Sequence, residues 1–221
     1  LGFFHYNSHQ NQVFIRPSSA GLVLRLPVLK PIKWIFNYLE QGLAKALKWT
    51  ASGFGRLEAH ESTKIGAEFD ELWQRLSQHH TLGPLRDRAY FNHRFNENPM
   101  AKYRVWTVKQ KGSICGVFVT CSKTDKQGLQ THYLADWMLD HYVKGIFRFV
   151  VADFIAKLGG SSTKSFLFWG EREWTRSQRV LSLGCMGGSS VPIIFFDHAD
   201  SRRLQDTDPI LDFTLATSDN I

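Results

Sequence analysis

The sequence predicts an α/β fold, one mixed sheet with helices packed against it, and three observations carry this. Between residues 102 and 139 three runs alternate apolar and polar side chains, and Lys111-Gly112 joins the first two. Period two marks half-buried strands, and so short a junction marks a hairpin. From about Val143 to Leu158 the apolar residues Ile146, Phe149, Val150, Phe154 and Leu158 recur at steps of about three and four, which is one face of a helix. "KSFLFWG", residues 164 to 170, then reads as a short apolar strand. A helix of that length between two strands is the crossover that a parallel pair requires, so this strand should run parallel to the third.

The other elements are taken in chain order. Gln12 to Pro17 read as a strand stopped by Pro17, and "SSAG" as a loop. From Ile32 the apolar positions Ile32, Ile35, Phe36, Leu39, Leu43 and Leu47 predict an amphipathic helix ending near Thr50, with Lys33, Lys45 and Lys48 on its other faces and Trp34 and Trp49 near its ends. Two readings of it stay open. It is a linker helix packing on a neighbouring domain, or a basic helix with terminal aromatics lying on an anionic membrane. "EFDELWQRLSQHH" puts Phe69, Leu72, Trp73 and Leu76 on one helical face, and "LRDRAYFNHRFN" forms a second short helix ended by Pro99. Late in the chain "EWTRSQRVLSLG" reads as a helix closed by Gly184, with Glu171 and Trp174 at its start as cap and core, and "SSVPIIFFD" and "ILDFTLATSD" as two strands. The order α, α, β, β, β, α, β, α, β, β gives two-layer packing about one sheet.

Composition bounds the function. At 221 residues and 43% hydrophobic the chain can bury a substantial core. Its three cysteines, Cys115, Cys121 and Cys185, have no metal-ligand spacing and are odd in number, which speaks for inert thiols in a reducing, cytoplasmic setting and against a disulfide framework, a zinc site or an iron–sulfur site. Most of the +7 net charge lies before residue 58, where Arg16, Arg25, Lys30, Lys33, Lys45, Lys48 and Arg56 face Glu40 alone. No nucleic-acid module signature accompanies that charge, so no DNA or RNA partner is expected. "GGSS" at 159 to 162 and again at 187 to 190 lacks the Lys-Ser/Thr ending of a phosphate loop and reads as turns.

One block carries a resemblance. "RDRAYFNHRFNENPMAKY", residues 86 to 103, resembles the Arg-Asp-x-x-Tyr-Leu-x-Trp-Arg-Phe-x-x-x-Pro-x-x-x-Tyr stretch of a group of bacterial GNAT-like acyltransferases. Many of that group hold two GNAT repeats, and many are linked to polysaccharide production. Arg86, Asp87, Tyr90, Arg94, Phe95, Pro99 and Tyr103 fit, while His93 takes the Trp position. "GSICGVFV" resembles the Gly-x-x-x-Gly-Tyr-x-Val strand of the group, and "LDFTLATSDNI" resembles its usual end. The resemblance implies a GNAT-like, mixed but mostly antiparallel sheet with helices on both faces. Because the last helix of a GNAT domain commonly finishes Leu-Gly-Phe, Leu1-Gly2-Phe3 resembles the finish of a preceding repeat, and Leu183-Gly184-Cys185 the same point in a second. The expected organisation is therefore residues 1–20 as the stub of a preceding GNAT repeat, 21–66 as a basic linker with its amphipathic helix, and 67–221 as a GNAT-like domain.

The resemblance also implies acetyl-CoA or another acyl-CoA as cofactor, beside Met138 and Leu139 and at the start of the crossover helix. There the family uses Gln/Arg-x-x-Gly-x-Gly/Ala to bring backbone N–H groups to the pyrophosphate. In "DHYVKGIFRF" Gly145 stands for the first Gly, but Tyr142 replaces Gln/Arg and Phe147 the second Gly, and Lys144 and Arg148 are either cations for phosphate or a solvated basic helix face. Acyl transfer to an amine needs a base. Asp136 and Asp140 are the carboxylates on the third strand, and by period two His132 shares their face as a third member of an acid–base cluster. The Tyr that many family members place before Leu-Gly-Phe falls at Val180, which donates no proton. Two functions are carried forward. One is an acyl-CoA-dependent N- or O-acyltransferase acting on a sugar, lipid or peptide intermediate of envelope or exopolysaccharide assembly, this repeat being degenerate. The other is a non-catalytic GNAT-like module that docks to a membrane or partner through its basic helix, and would be membrane-peripheral.

Overall fold

The computed structural model describes residues 2–18, 31, 33–51, 56–77, 87–97, 102–140, 142–171 and 184–197. The elements are β1 (Gly2–Pro17), α1 (Lys33–Ala51), β2 (Leu57–Ser62), α2 (Glu68–Ser77), α3 (Arg88–Phe91), β3 (Arg104–Gln110), β4 (Ser113–Thr124), β5 (Gln130–Leu139), α4 (Ile146–Leu158), β6 (Thr163–Glu171) and β7 (Met186–Asp197). A π-helical turn, Asn92–Asn96, continues α3. The seven strands form one sheet in the order β2-β3-β4-β5-β6-β1-β7. Every neighbouring pair is antiparallel except β5 and β6, which run parallel across the α4 crossover. The sheet is thus mixed and mostly antiparallel, as expected.

The central hairpin lies where the alternation put it. Lys111 and Gly112 both take positive φ, 51° and 85°, the left-handed pair whose twist matches the flanking strands in a two-residue turn. On one face of the sheet α4 packs Phe147, Phe149, Val150 and Phe154 against Trp106, Phe118, Phe166 and Phe168. On the other face α2 and α3 bring Phe69, Leu72, Leu76 and Phe91 onto Val105, Val117, Val119 and Met138. Helices therefore cover both faces, each burying an apolar stripe.

α1 packs differently from its leucine periodicity. It lies on α4 through Ala44, Leu47 and Ala51, with Gln41 beside Gly159 and Ala51 beside Gly145, so the two helices are antiparallel. Small side chains let the helices approach closely. Lys48 reaches the fully buried Asp153 of α4 at 2.6 Å, and Lys157 holds its other oxygen at 2.9 Å. Ile35, Leu39 and Leu43, expected inside, are exposed instead.

The sheet also draws in residues that were expected outside the 67–221 domain. β1 sits between β6 and β7, and it begins ten residues earlier than expected. β2, within the expected linker, is an edge strand held by the paired side chains of Glu61 and Arg104. Residues 187 to 190 lie within β7 and are not a turn, and Glu171 is the last residue of β6, opposite Asn11 of β1, rather than the first of a helix. The expected helix over 173–184 and the strand over 210–219 lie outside the described residues, apart from Gly184.

Candidate functional site

Parallel pairing of β5 with β6 runs only as far as Leu134 and Phe168. Beyond that point β5 stays on β4 through Leu139, while β6 pairs with β1 through Glu171. The two strands part, and the fork between them is the candidate site.

A β-bulge sets the side chains there. Thr120 faces Leu134 and Val119 faces Asp136, so Ala135 is an extra residue on β5. A bulge breaks the two-residue alternation and re-aims the side chains beyond it. His132 lies on the α4 face, its ring 5.4 Å from that of Phe166. Asp136 lies on the opposite face, where the Tyr90 hydroxyl is 3.4 Å from Oδ2. Asp140 is on that opposite face too, its Oδ2 accepting from Arg75 of α2 at 2.7 Å. The expectation that His132, Asp136 and Asp140 share one face is corrected by that single inserted residue.

His132 is sealed. Its Nδ1 lies 2.7 Å from Ser122 Oγ and its Nε2 3.3 Å from Thr163 Oγ1. Burial pushes its pKa down to about 4, so at neutral pH it is an uncharged core imidazole. Asp140 closes a turn: its Oδ1 accepts from the Tyr142 N–H at 3.0 Å, and its own N–H donates to the Cys115 carbonyl at 2.8 Å. Asp136 is fully buried, with Oδ1 accepting from the Trp137 N–H at 2.8 Å. The surviving acid–base candidate is the Asp136 carboxylate with the Tyr90 hydroxyl. Tyr90 stood out in the sequence as an aromatic of the 86–103 block, but not as the partner of an acid. Arg75 gave no signal at all, because an Arg in the last turn of an amphipathic helix ordinarily faces solvent. The thiols take no part: burial pushes Cys115 and Cys121 up to about 11 and Cys185 to about 12, and the thiol form is a poor nucleophile.

The resemblance places a cofactor on the α4 side of this fork. Gly145 takes φ 79° at the start of α4, a left-handed conformation suited to Gly. Tyr142 and Lys144 are exposed beside it. Arg148 is partly buried, and its Nε has no hydrogen-bond partner among the described residues. Met138 points away, into the cluster under α2, while Leu139 packs toward α4. Phe147 is fully buried, its ring centroid 5.2 Å from Trp137 of β5 and 5.8 Å from Phe168 of β6, and Phe168 stacks on Phe14 of β1 at 5.2 Å. Rings from α4, β5, β6 and β1 therefore meet among the described residues where the strands part. With Phe147 buried where the resembling family keeps a second Gly, the described residues at the start of α4 do not fit that family's pyrophosphate loop.

Several solved structures resemble the chain in outline. The GCN5-related N-acetyltransferase from Anabaena variabilis matches at 12% identity over 87% of this chain and 41% of its own, with a TM-score of 0.49. A conserved protein of unknown function from Staphylococcus epidermidis matches at 9% identity over 87% of this chain and 62% of its own, TM-score 0.46. The ribosomal-protein-alanine N-acetyltransferase from Brucella melitensis biovar Abortus matches at 17% identity over 63% of this chain and 99% of its own, TM-score 0.42. The chain thus spans less than two thirds of the length of the first two. No protein-family model matches the sequence, and no curated protein does. No helix among the described residues is long and apolar enough to cross a membrane.

Proposed function

We propose that the chain is a GNAT-like unit of an acyl-CoA-dependent N- or O-acyltransferase, supplying structure and part of the acceptor cleft while its own cofactor cradle is degenerate. The observation that carries this is Phe147, whose ring joins Trp137 to Phe168 at the fork. The buried Asp136 beside the Tyr90 hydroxyl is the acid–base pair that supports a role toward an acceptor. The acceptor class, a sugar, lipid or peptide intermediate of envelope or exopolysaccharide assembly, rests on the resemblance of residues 86 to 103.

Calorimetric titration of the chain with acetyl-CoA, beside a Phe147→Gly variant, tests the proposal. The expected Kd of the unmodified chain is weaker than about 100 μM, with no acetyl transfer. Each backbone–phosphate hydrogen bond lost is worth about 1.5 to 3 kcal/mol, and a few of them separate micromolar from millimolar affinity. Micromolar binding by the unmodified chain overturns the degenerate cradle and returns Asp136 to the position of general base.

A second reading, a non-catalytic module that docks through α1, is favoured by one specific observation. The outward face of that helix is apolar.

A further inference from the structure

α1 turns its alanines inward and its large apolar side chains outward. Trp34, Ile35, Tyr38, Leu39, Leu43 and Trp49 retain between 39% and 76% exposure. At about 100° per residue all six fall within one half of the helix circumference, and the two tryptophans lie about 60° apart around the axis and about 22 Å apart along it. On that half the remaining positions of the described turns are Gly42, Lys45, Ala46 and Thr50, so Lys45 is the one charge on it. The acid of the helix, Glu40, is turned inward and paired with Arg16.

We infer that this face of α1 docks in the plane of an anionic lipid surface, the apolar half entering the interface and Lys45 meeting the headgroups. The charge decides the occupant. Residues 16 to 57 carry seven basic side chains against one acid; Arg16 and Glu40 pair with each other and Lys48 with Asp153, while Lys45 stays exposed on the outward half. A second copy of the chain laid on this face would bring a Lys45 ammonium group from each side, with no carboxylate on the described half of either helix to offset them. Anionic headgroups supply the missing countercharge. The tryptophans at the two ends suit the headgroup level, where an amphipathic ring keeps its N–H wet, and a surface helix of this kind lies flat and does not span. This deepens the second reading and leaves the first untouched, because vesicle binding and acetyl-CoA titration report on different surfaces.

The test is co-sedimentation of the full chain with vesicles of phosphatidylcholine alone and of phosphatidylcholine with phosphatidylglycerol at about 3:1, alongside sedimentation velocity without lipid. The expected partitioning is at least about tenfold stronger onto the anionic vesicles. Leu39→Ser with Trp34→Ser should abolish it, and Lys45→Glu should lower it several-fold. These side chains are exposed, so the thermal midpoint of each variant should match the parent and certify the fold. No binding to the anionic vesicles overturns the inference. So does equal binding to both compositions, or a lipid-free dimer that Leu39→Ser dissociates while the parent ignores vesicles.

Discussion

The Tyr90 hydroxyl stands 3.4 Å from Oδ2 of Asp136, joining the 86–103 block to the strand that bulges at the fork. The Tyr90 ring also meets Phe91 and Phe95 edge-on, at 5.5 and 5.9 Å between centroids. Tyr90→Phe should therefore cost about 1 kcal/mol by loss of one hydrogen bond to a buried acid, and Tyr90→Ala about 3 kcal/mol by adding a cavity. Urea melts of the two variants separate the terms. Equal losses would show that the hydroxyl carries the whole effect and the ring none.

His132 predicts an acid sensitivity with a definite sign. Its folded pKa is near 4 against 6.5 for the free side chain, because burial disfavours the imidazolium. The unfolded chain then binds more protons than the folded one between these values, so stability falls as pH drops from 6.5 toward 4. From pH 6.5 to 5 this group alone should contribute a loss of about 2 kcal/mol. His132→Gln should flatten that part of the profile, measured by denaturant melts at each pH. A profile unchanged by the substitution would show that other groups set it.

Asp153 should be worth far more than either lysine that holds it. It is fully buried between Lys48 and Lys157, and removing one member of such a cluster strands the others. Asp153→Ala should cost about 3 kcal/mol or more, while Lys48→Ala, on a partly exposed side chain, should cost about 1 kcal/mol. A double-mutant cycle with additive losses would dissolve the claimed link between α1 and α4.

The three thiols should be silent. With pKa values pushed to about 11 and 12 by burial, none should react with a disulfide reagent at pH 8 in the folded chain. All three should react in denaturant. Fast labelling of the folded chain would show that one of these cysteines is accessible.

β3, β4, β5 and α4 were legible in the sequence, because three apolar runs are punctuated at Lys111-Gly112 and before residue 129, and α4 keeps one apolar helical face. The bulge was not, since Ala135 is small, uncharged and buried and leaves the apolar pattern intact while shifting its phase. That single residue divided the expected site. α1 was legible as a helix, but its contact face was not. Leucine periodicity names the more apolar side, whereas Ala44 and Ala51 name the side that approaches another helix. β2, "LEAHES", escaped because an edge strand tolerates charge on both faces.

β1 has a consequence for how the chain folds as it is made. Phe14 stacks on Phe168, so two strands that are neighbours in the sheet leave the ribosome about 150 residues apart. At about 5 to 20 residues per second β1 waits roughly 8 to 30 s for β6. Through that interval it lacks both of its neighbours among the described strands, and it ends in an apolar and aromatic run. Contacts of such long range form late and slowly. Synthesis rate and chaperone supply should therefore govern the yield of folded chain more than its final stability does.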